Sequence, residues 1–149
     1  MRALVQRVTE ASVAIDGEVV GRIGRGLLIL LGVRVGDGEK EADFLVEKCL
    51  NLRIFEDEEG KMNRSLLEEQ GEILVVSQFT LYGDCRKGRR PSFIEAAPPA
   101  VSEPLYEYFV QQVRLRGVHT PTGRFGATMA VHLINDGPVT ILAEKEASS

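Results

Sequence analysis

The chain predicts one α/β domain, and three observations carry that reading. Two short runs, Leu27–Val33 and Ile73–Val76, are apolar throughout, the pattern of strands covered on both faces. Two stripes, Ala42, Leu45, Val46, Cys49, Leu50 and Leu105, Tyr106, Phe109, Val110, Val113, repeat at the spacing of a helix with one buried face. The 149 residues, 44% of them apolar, contain no internal repeat and no linker, and a domain of this length buries roughly 70% of its unfolded surface. The domain is expected to span 1–149, with 144–149 as a frayed tail.

Taken in order, Val13 and Ile15 alternate with Ser12, Ala14 and Asp16, and Asp16-Gly17 offers the two-residue turn of a hairpin whose second arm is Glu18 to Ile23. Gly24 and Gly26 interrupt the chain before the run at 27–33. A helix is expected from Glu39 to Leu52, capped by Asp37, with early acids at the positive end of its dipole. Arg53-Ile54-Phe55 resumes as a strand, Glu56–Glu59 forms an acidic turn ending at Gly60, and Ser65 with Glu68 has capping-box spacing for one helical turn. The run Ile73–Val76 continues as a strand into Ser77-Gln78-Phe79-Thr80-Leu81. Gly83, Gly88, Pro91, Pro98 and Pro99 mark 83–101 as a long loop, a kind that is usually functional or mobile. A second helix starts near Ser102, carries Pro104 in its first turn and ends at Gly117. Thr128–Ile134 alternates with Met129, Val131 and Leu133 on one face, Asn135-Asp136-Gly137 reads as a turn, and Val139–Ala143 as a last strand.

Composition excludes several function classes. No apolar stretch approaches the ~20 residues of a bilayer helix, so no membrane partner is expected. The first residues, MRALVQRVTE, lack the apolar core of a signal peptide, and a cytoplasmic address is the default expectation. Two cysteines are too few for a disulfide framework. The net charge of −4, from 18 basic and 22 acidic side chains, argues mildly against nucleic acid, but its distribution is uneven. Glu56, Asp57, Glu58 and Glu59 account for all of it, whereas Arg86, Lys87, Arg89 and Arg90 form a basic knot, and 111–134 holds Arg114, Arg116 and Arg124 with no acid.

No metal or cofactor is expected. His119 and His132 lack zinc-ligand spacing, and neither a dinucleotide loop nor a P-loop is present. Ser77, Thr80 and Cys85 are possible nucleophiles, but no sequence elbow frames them; Cys85 stands beside Arg86 and Lys87, and Cys49 belongs to the core. What stands out is Ser77-Gln78-Phe79-Thr80, where an apolar strand leaves the sheet, since strand ends of α/β sheets are preferred ligand sites. Against this stands the plainer reading of a polar strand end meeting solvent. Gly137-Pro138 follows a turn signal, a place where cis peptides occur.

Three segments together, Ser77-Gln78-Phe79-Thr80-Leu81-Tyr82, Arg86-Lys87-Gly88-Arg89-Arg90-Pro91-Ser92-Phe93 and Asn135-Asp136-Gly137-Pro138-Val139-Thr140, resemble the D-aminoacyl-tRNA deacylase family. Val5-Gln6-Arg7-Val8, Lys61-Met62-Asn63-Arg64-Ser65-Leu66-Leu67 and Thr122-Gly123-Arg124-Phe125-Gly126-Ala127 resemble it too, so the similarity runs in order from residue 1 to about 143.

The resemblance implies a three-layer α/β/β domain with a mixed, barrel-like sheet and two main helices, working as a cytoplasmic homodimer. It implies hydrolysis of the ester between a D-amino acid and tRNA, with glycine mischarged onto alanine tRNA as a further substrate. By the same analogy the backbone N–H groups of Phe79 and Thr80 would polarise the ester carbonyl, with Ser77 and Gln78 supporting them. Gly137-Pro138 would be cis and reach the neighbouring subunit's pocket, held by Arg7, while Phe125 and Met129 would lie near the terminal adenosine. Arg86, Lys87, Arg89 and Arg90 would contact tRNA phosphates, on a surface split from the acidic turn. No His or carboxylate adjoins Thr80 in sequence, which favours assistance by the tRNA's own 2′-hydroxyl over Thr80 as covalent nucleophile. The rival readings are a non-catalytic nucleic-acid-binding module and a small-molecule esterase, the latter weakened by the missing triad.

Overall fold

The computed structural model describes residues 1–147. The elements are β1 (Arg2–Ile15), β2 (Glu18–Ile23), β3 (Gly26–Gly32), α1 (Glu39–Asn51), β4 (Phe55–Glu56), β5 (Met62–Arg64), α2 (Leu66–Glu69), β6 (Glu72–Ser77), a 3₁₀ turn (Phe79–Tyr82), α3 (Pro99–Leu115) and β7 (Ala130–Glu144). No helix among them is long and apolar enough to cross a membrane.

β1 organises the sheet because it is paired on both sides. Leu4 faces Leu30 and Leu142, and Ala11 faces Ile23 and Leu133. β6 adds to β3 in parallel, from Gly26↔Glu72 to Leu31↔Ser77, so the sheet is mixed. β4 and β5 form a separate two-stranded ribbon. Each face of the main sheet has its own core. Ala3 and Val5 of β1, with Leu27, Ile29, Leu31, Ile73 and Val75, meet the buried stripes of α1 and α3. Val8 and, past a kink where β1 holds Thr9 as one residue more than β7, Ala11 and Val13 line the opposite face with Ile23, Leu28, Leu74 and Val76. A one-residue bulge swaps which side chains face inward and bends the strand, and here it curls the sheet into a half-barrel around this second core.

The apolar stripes read from the sequence are all buried, and Asp16-Gly17 turns the first hairpin with φ of 51° and 81°. Five local expectations need correction. The cap of α1 is Gly38, whose N–H donates to the Glu41 carboxylate at 3.1 Å, because Asp37 instead accepts from the Arg34 amide and pairs with the Met1 amine at 2.8 Å. α3 begins at Pro99 rather than near Ser102, since prolines lack the donor that a first helical turn leaves unused. The strand ends at Ser77, and the residues expected to extend it wind into the 3₁₀ turn. Asn135-Asp136-Gly137 does not reverse the chain: β7 runs on through it beside β1. The chain does not fray from 144, because Glu144 is in β7 and Lys145 exchanges backbone hydrogen bonds with Met1; of the expected tail, Ser148 and Ser149 lie outside the described residues.

Candidate active site

At the ends of β3 and β6, where the two cores meet, a cleft of about 590 Å³ opens. Its walls are Ser77, Gln78 and Phe79 on one side and Phe125, Ala127, Met129 and Val131 on the other. The structure therefore brings together five residues that the sequence singled out: Ser77, Gln78, Phe79, Phe125 and Met129. Phe93, Ala96, Ala97 and Ser102 also line the cleft and were not foreseen. Phe93 carried a signal, an aromatic inside a polar loop, and it stacks edge-on against Phe79 with centroids 5.2 Å apart. The alanines and Ser102 carried none. No ionisable side chain is among the residues lining this cleft.

The 3₁₀ turn places two free donors at the cleft's edge. Gln78 N–H donates to Leu31 O at 2.8 Å and Leu81 N–H to Gln78 O at 3.2 Å, continuing the chain's hydrogen bonding on either side. Among the described residues the amides of Phe79 and Thr80, at the start of the turn, have no acceptor. The Gln78 amide donates to the Thr80 hydroxyl, which fixes both side chains. The turn is held from behind by Arg2, whose guanidinium donates to Leu81 O at 2.6 Å and lies over the Tyr82 ring at 4.5 Å. Burial pushes the Tyr82 phenol up from its ordinary value. Gly32 permits the close approach of β3: a Cβ there would sit 3.0 Å from Leu81 Cβ and 3.1 Å from Gln78 O.

Gly137 and Pro138 lie outside the cleft of their own chain. The register passes from Gln6↔Thr140 to Val8↔Asn135, so Arg7 alone faces four residues of β7, 136–139, which loop out. The Gly137-Pro138 peptide is cis and both residues are exposed. Asn135 closes the base of the loop, accepting from Val139 N–H at 2.7 Å and donating to the Thr140 hydroxyl at 3.0 Å. Arg7 holds it from inside. Only 5% exposed, it donates to Asp136 O at 2.9 Å and to Ile54 O at 2.7 Å. Gly137 has φ +136°, and a Cβ there would stand 3.1 Å from the Arg7 guanidinium, so only glycine fits. Glu56, at the start of the acidic turn, reaches the same guanidinium at 3.8 Å.

Beyond Phe93 the chain carries the basic knot, where the four cations are not equivalent. Arg86 is tied to Asp84 through two bonds of 2.9 and 2.7 Å, and this partner holds the Asp84 carboxyl down at about 2. Lys87, Arg89 and Arg90 are exposed and have no ion-pair partner among the described residues. Cys85 is exposed, whereas Cys49 is fully buried and its thiol is pushed up to about 12 by burial. Among the described residues no three His, Cys, Asp or Glu side chains are grouped to hold a metal ion.

Comparison with known proteins places this geometry. The model of the D-Tyr-tRNA(Tyr) deacylase family matches residues 4–144. A D-aminoacyl-tRNA deacylase of Roseiflexus sp. (strain RS-1) is 64% identical over 144 residues, covering 97% of this chain and 93% of that one. A D-aminoacyl-tRNA deacylase of Bacillus cereus (strain B4264) is 57% identical over 146 residues, 98% of this chain and 100% of that one. Among solved structures, one named c-Myc DNA Unwinding Element Binding Protein superposes with TM-score 0.92 at 48% identity, covering 99% of this chain and 100% of that one. Another, described as a probable eukaryotic D-amino acid tRNA deacylase, shares the fold with TM-score 0.83 at 22% identity, over 97% and 98% of the two chains. On the near-complete family match and these identities, the chain belongs to the D-Tyr-tRNA(Tyr) deacylase family.

Proposed function

We propose that this protein hydrolyses the ester of D-aminoacyl-tRNA, releasing the amino acid and tRNA, and that it does so without a protein-borne general base. The observation that carries the mechanism is a cleft lined by no ionisable side chain, with the free amide of Phe79 in its wall and that of Thr80, which does not itself line it, next in the same turn. An aminoacyl ester is already activated. Water adds to its carbonyl carbon, the developing oxyanion is met by the Phe79 and Thr80 amides, and the ester C–O bond then breaks to leave a ribose hydroxyl. Such oriented donors supply ~3–4 kcal/mol. The proton released by the water is taken up with help from the adjacent ribose 2′-hydroxyl of the substrate, since among the described residues the Thr80 hydroxyl has the Gln78 amide as its only hydrogen-bond partner.

Chirality is a separate requirement. D- and L-esters share their atoms, so attraction to the common part cannot separate them, and a rigid wall against the L side chain can. The looped-out Gly137-Pro138 segment suits such a wall if it belongs to a second copy of the chain. It projects from β7, which pairs only with β1 among the described residues and exposes Val131, Ile134, Ile141 and Leu142. A homodimer that inserts each loop into the partner's cleft supports this reading. Glycine, with no side chain to clash, passes the same wall, which makes glycyl-tRNA(Ala) a second substrate. Lys87, Arg89 and Arg90, with Arg86 contributing less because Asp84 neutralises it, supply phosphate contacts.

A non-catalytic nucleic-acid-binding role is the second reading, favoured by the 48% identical structure, whose name is that of a DNA-binding protein. Turnover separates the two. D-tyrosyl-tRNA ending in 2′-deoxyadenosine is expected to be cleaved at least about 100-fold more slowly than the normal substrate, while Thr80→Ala retains most activity. Equal rates on the two tRNAs, or near-total loss in Thr80→Ala with tRNA still bound, would overturn the substrate-assisted mechanism.

A further inference from the structure

The three arginines of the acid-free stretch 111–134 have different fates in the fold. Arg114 donates twice to Thr120 O, at 3.0 and 2.8 Å, and holds the turn after α3. Arg116 is paired with Glu47 of α1. Arg124 is exposed and its side chain has no hydrogen-bond or ion-pair partner among the described residues. It stands on the wall of a second groove, about 850 Å³, between α3 and the 122–125 segment.

This groove continues the first cleft, because Phe125 lines both. Its two walls differ in charge. Arg124 lies on one side; on the other α3 presents Glu103, Glu107 and Gln111, the two carboxylates unpaired among the described residues, and at its far end Arg114, whose guanidinium is taken up by Thr120 O. The Glu103–Glu107 stretch of the α3 wall repels phosphate, whereas a single nucleotide with its phosphate on the other wall suits both. Its phosphate meets Arg124, and the exocyclic amino group of its base donates to a carboxylate, as cytosine amino groups do to Glu.

We propose that this groove binds the nucleotide immediately 5′ of the aminoacylated one, with Arg124 on the phosphate that joins them. The inference rests on the deacylase reading, which puts the terminal nucleoside beside Phe125.

The test compares two minimal substrates, D-tyrosine esterified to adenosine and D-tyrosine esterified to the terminal ribose of the dinucleotide CpA. The wild-type protein is expected to cleave the dinucleotide ester with about tenfold higher kcat/KM, the scale of one charge-assisted phosphate contact. In Arg124→Ala this ratio falls to about one, and Arg124→Lys, which keeps a point charge, restores most of it. The dependence of log kcat/KM on log salt also becomes shallower by about 0.7 for the dinucleotide in Arg124→Ala, as loss of one single-strand phosphate contact requires. Because the readout is a ratio within each variant, a general loss of folded protein cancels. A wild-type ratio near one, or an unchanged ratio and salt slope in Arg124→Ala, would overturn the subsite. Failure of the wild-type protein to cleave D-tyrosyl-tRNA at all would instead overturn the deacylase reading beneath it.

Discussion

Replacing Arg7 by methionine keeps most of the side-chain volume and removes the guanidinium that holds the Gly137 loop. Two bonds are lost, to Asp136 O at 2.9 Å and Ile54 O at 2.7 Å, and both carbonyls are left without that donor. Hydrogen bonds to a charged group contribute about 1.5–3 kcal/mol each, so the gross loss is roughly 3–6 kcal/mol. Removing a nearly buried cation also relieves its desolvation, which offsets part of that, and the expected net destabilisation is about 2–4 kcal/mol. Urea unfolding at one fixed protein concentration reads this as a midpoint about 1–2 M lower, since a denaturation slope of about 2 kcal/mol per M is ordinary at this size. Arg7→Lys is expected to recover at most half, because one ammonium does not reproduce a fork between two carbonyls. Among molecules that remain folded, the ratio of D- to L-tyrosyl-tRNA cleavage should fall at least about tenfold, because the loop no longer has a fixed position. A destabilisation below about 0.5 kcal/mol would refute the claim that Arg7 anchors the loop. An unchanged D-to-L ratio in a destabilised variant would refute the claim that the loop enforces chirality.

Three further outcomes follow from the geometry. Gly32→Val places carbon against Leu81 Cβ and Gln78 O, and is expected to cost about 1–3 kcal/mol and to lower kcat more than it raises KM, because it displaces the 3₁₀ turn; a variant with native stability and kcat would contradict this. A thiol reagent should titrate one cysteine per native chain, Cys85, and a second only after unfolding, because burial holds the Cys49 thiolate out of reach. Asp84 should titrate near 2 by carbon-13 NMR, and Arg86→Ala should move its midpoint up toward 3.8. Since the folded value lies below the unfolded one, the Asp84–Arg86 contribution is present above about pH 4 and is lost as pH falls through about 2. An unmoved midpoint would show that Arg86 is not the cause.

The elements that were legible in the sequence were those set by local periodicity. The stripes at 42–50 and 105–113, the apolar runs at 27–33 and 73–76, and the capping box of Ser65 with Glu68 all depend on neighbours a few residues away. What misled was fixed from far along the chain. Asn135-Asp136-Gly137 carries every local mark of a reversal, yet pairing with β1 keeps β7 straight and Arg7, distant in sequence, turns the segment into an outward loop. Asp37 looks like a helix cap until the Met1 amine claims it. Ser77 to Leu81 reads as a continuing strand because nothing local reveals that Gly32 lets the turn fold back against β3. The motif at 77–80 was found from its place at a strand end, and Phe125 and Met129 through family resemblance. Ala96, Ala97 and Ser102 had no signal of their own, since small residues line a cleft only by virtue of what surrounds them. The basic knot is legible as charge, but its reduction by Asp84 to three cations without an ion-pair partner among the described residues is not.

The most direct test of the central claim is a side-by-side deacylation assay with purified protein on D-tyrosyl-, L-tyrosyl- and glycyl-tRNA. Two free amides at the edge of a cleft without ionisable side chains, with the proposed wall supplied by a second copy's Gly137 loop, are expected to turn over the D and glycyl esters while the L ester largely survives. Comparable rates on the D- and L-tyrosyl esters would contradict it.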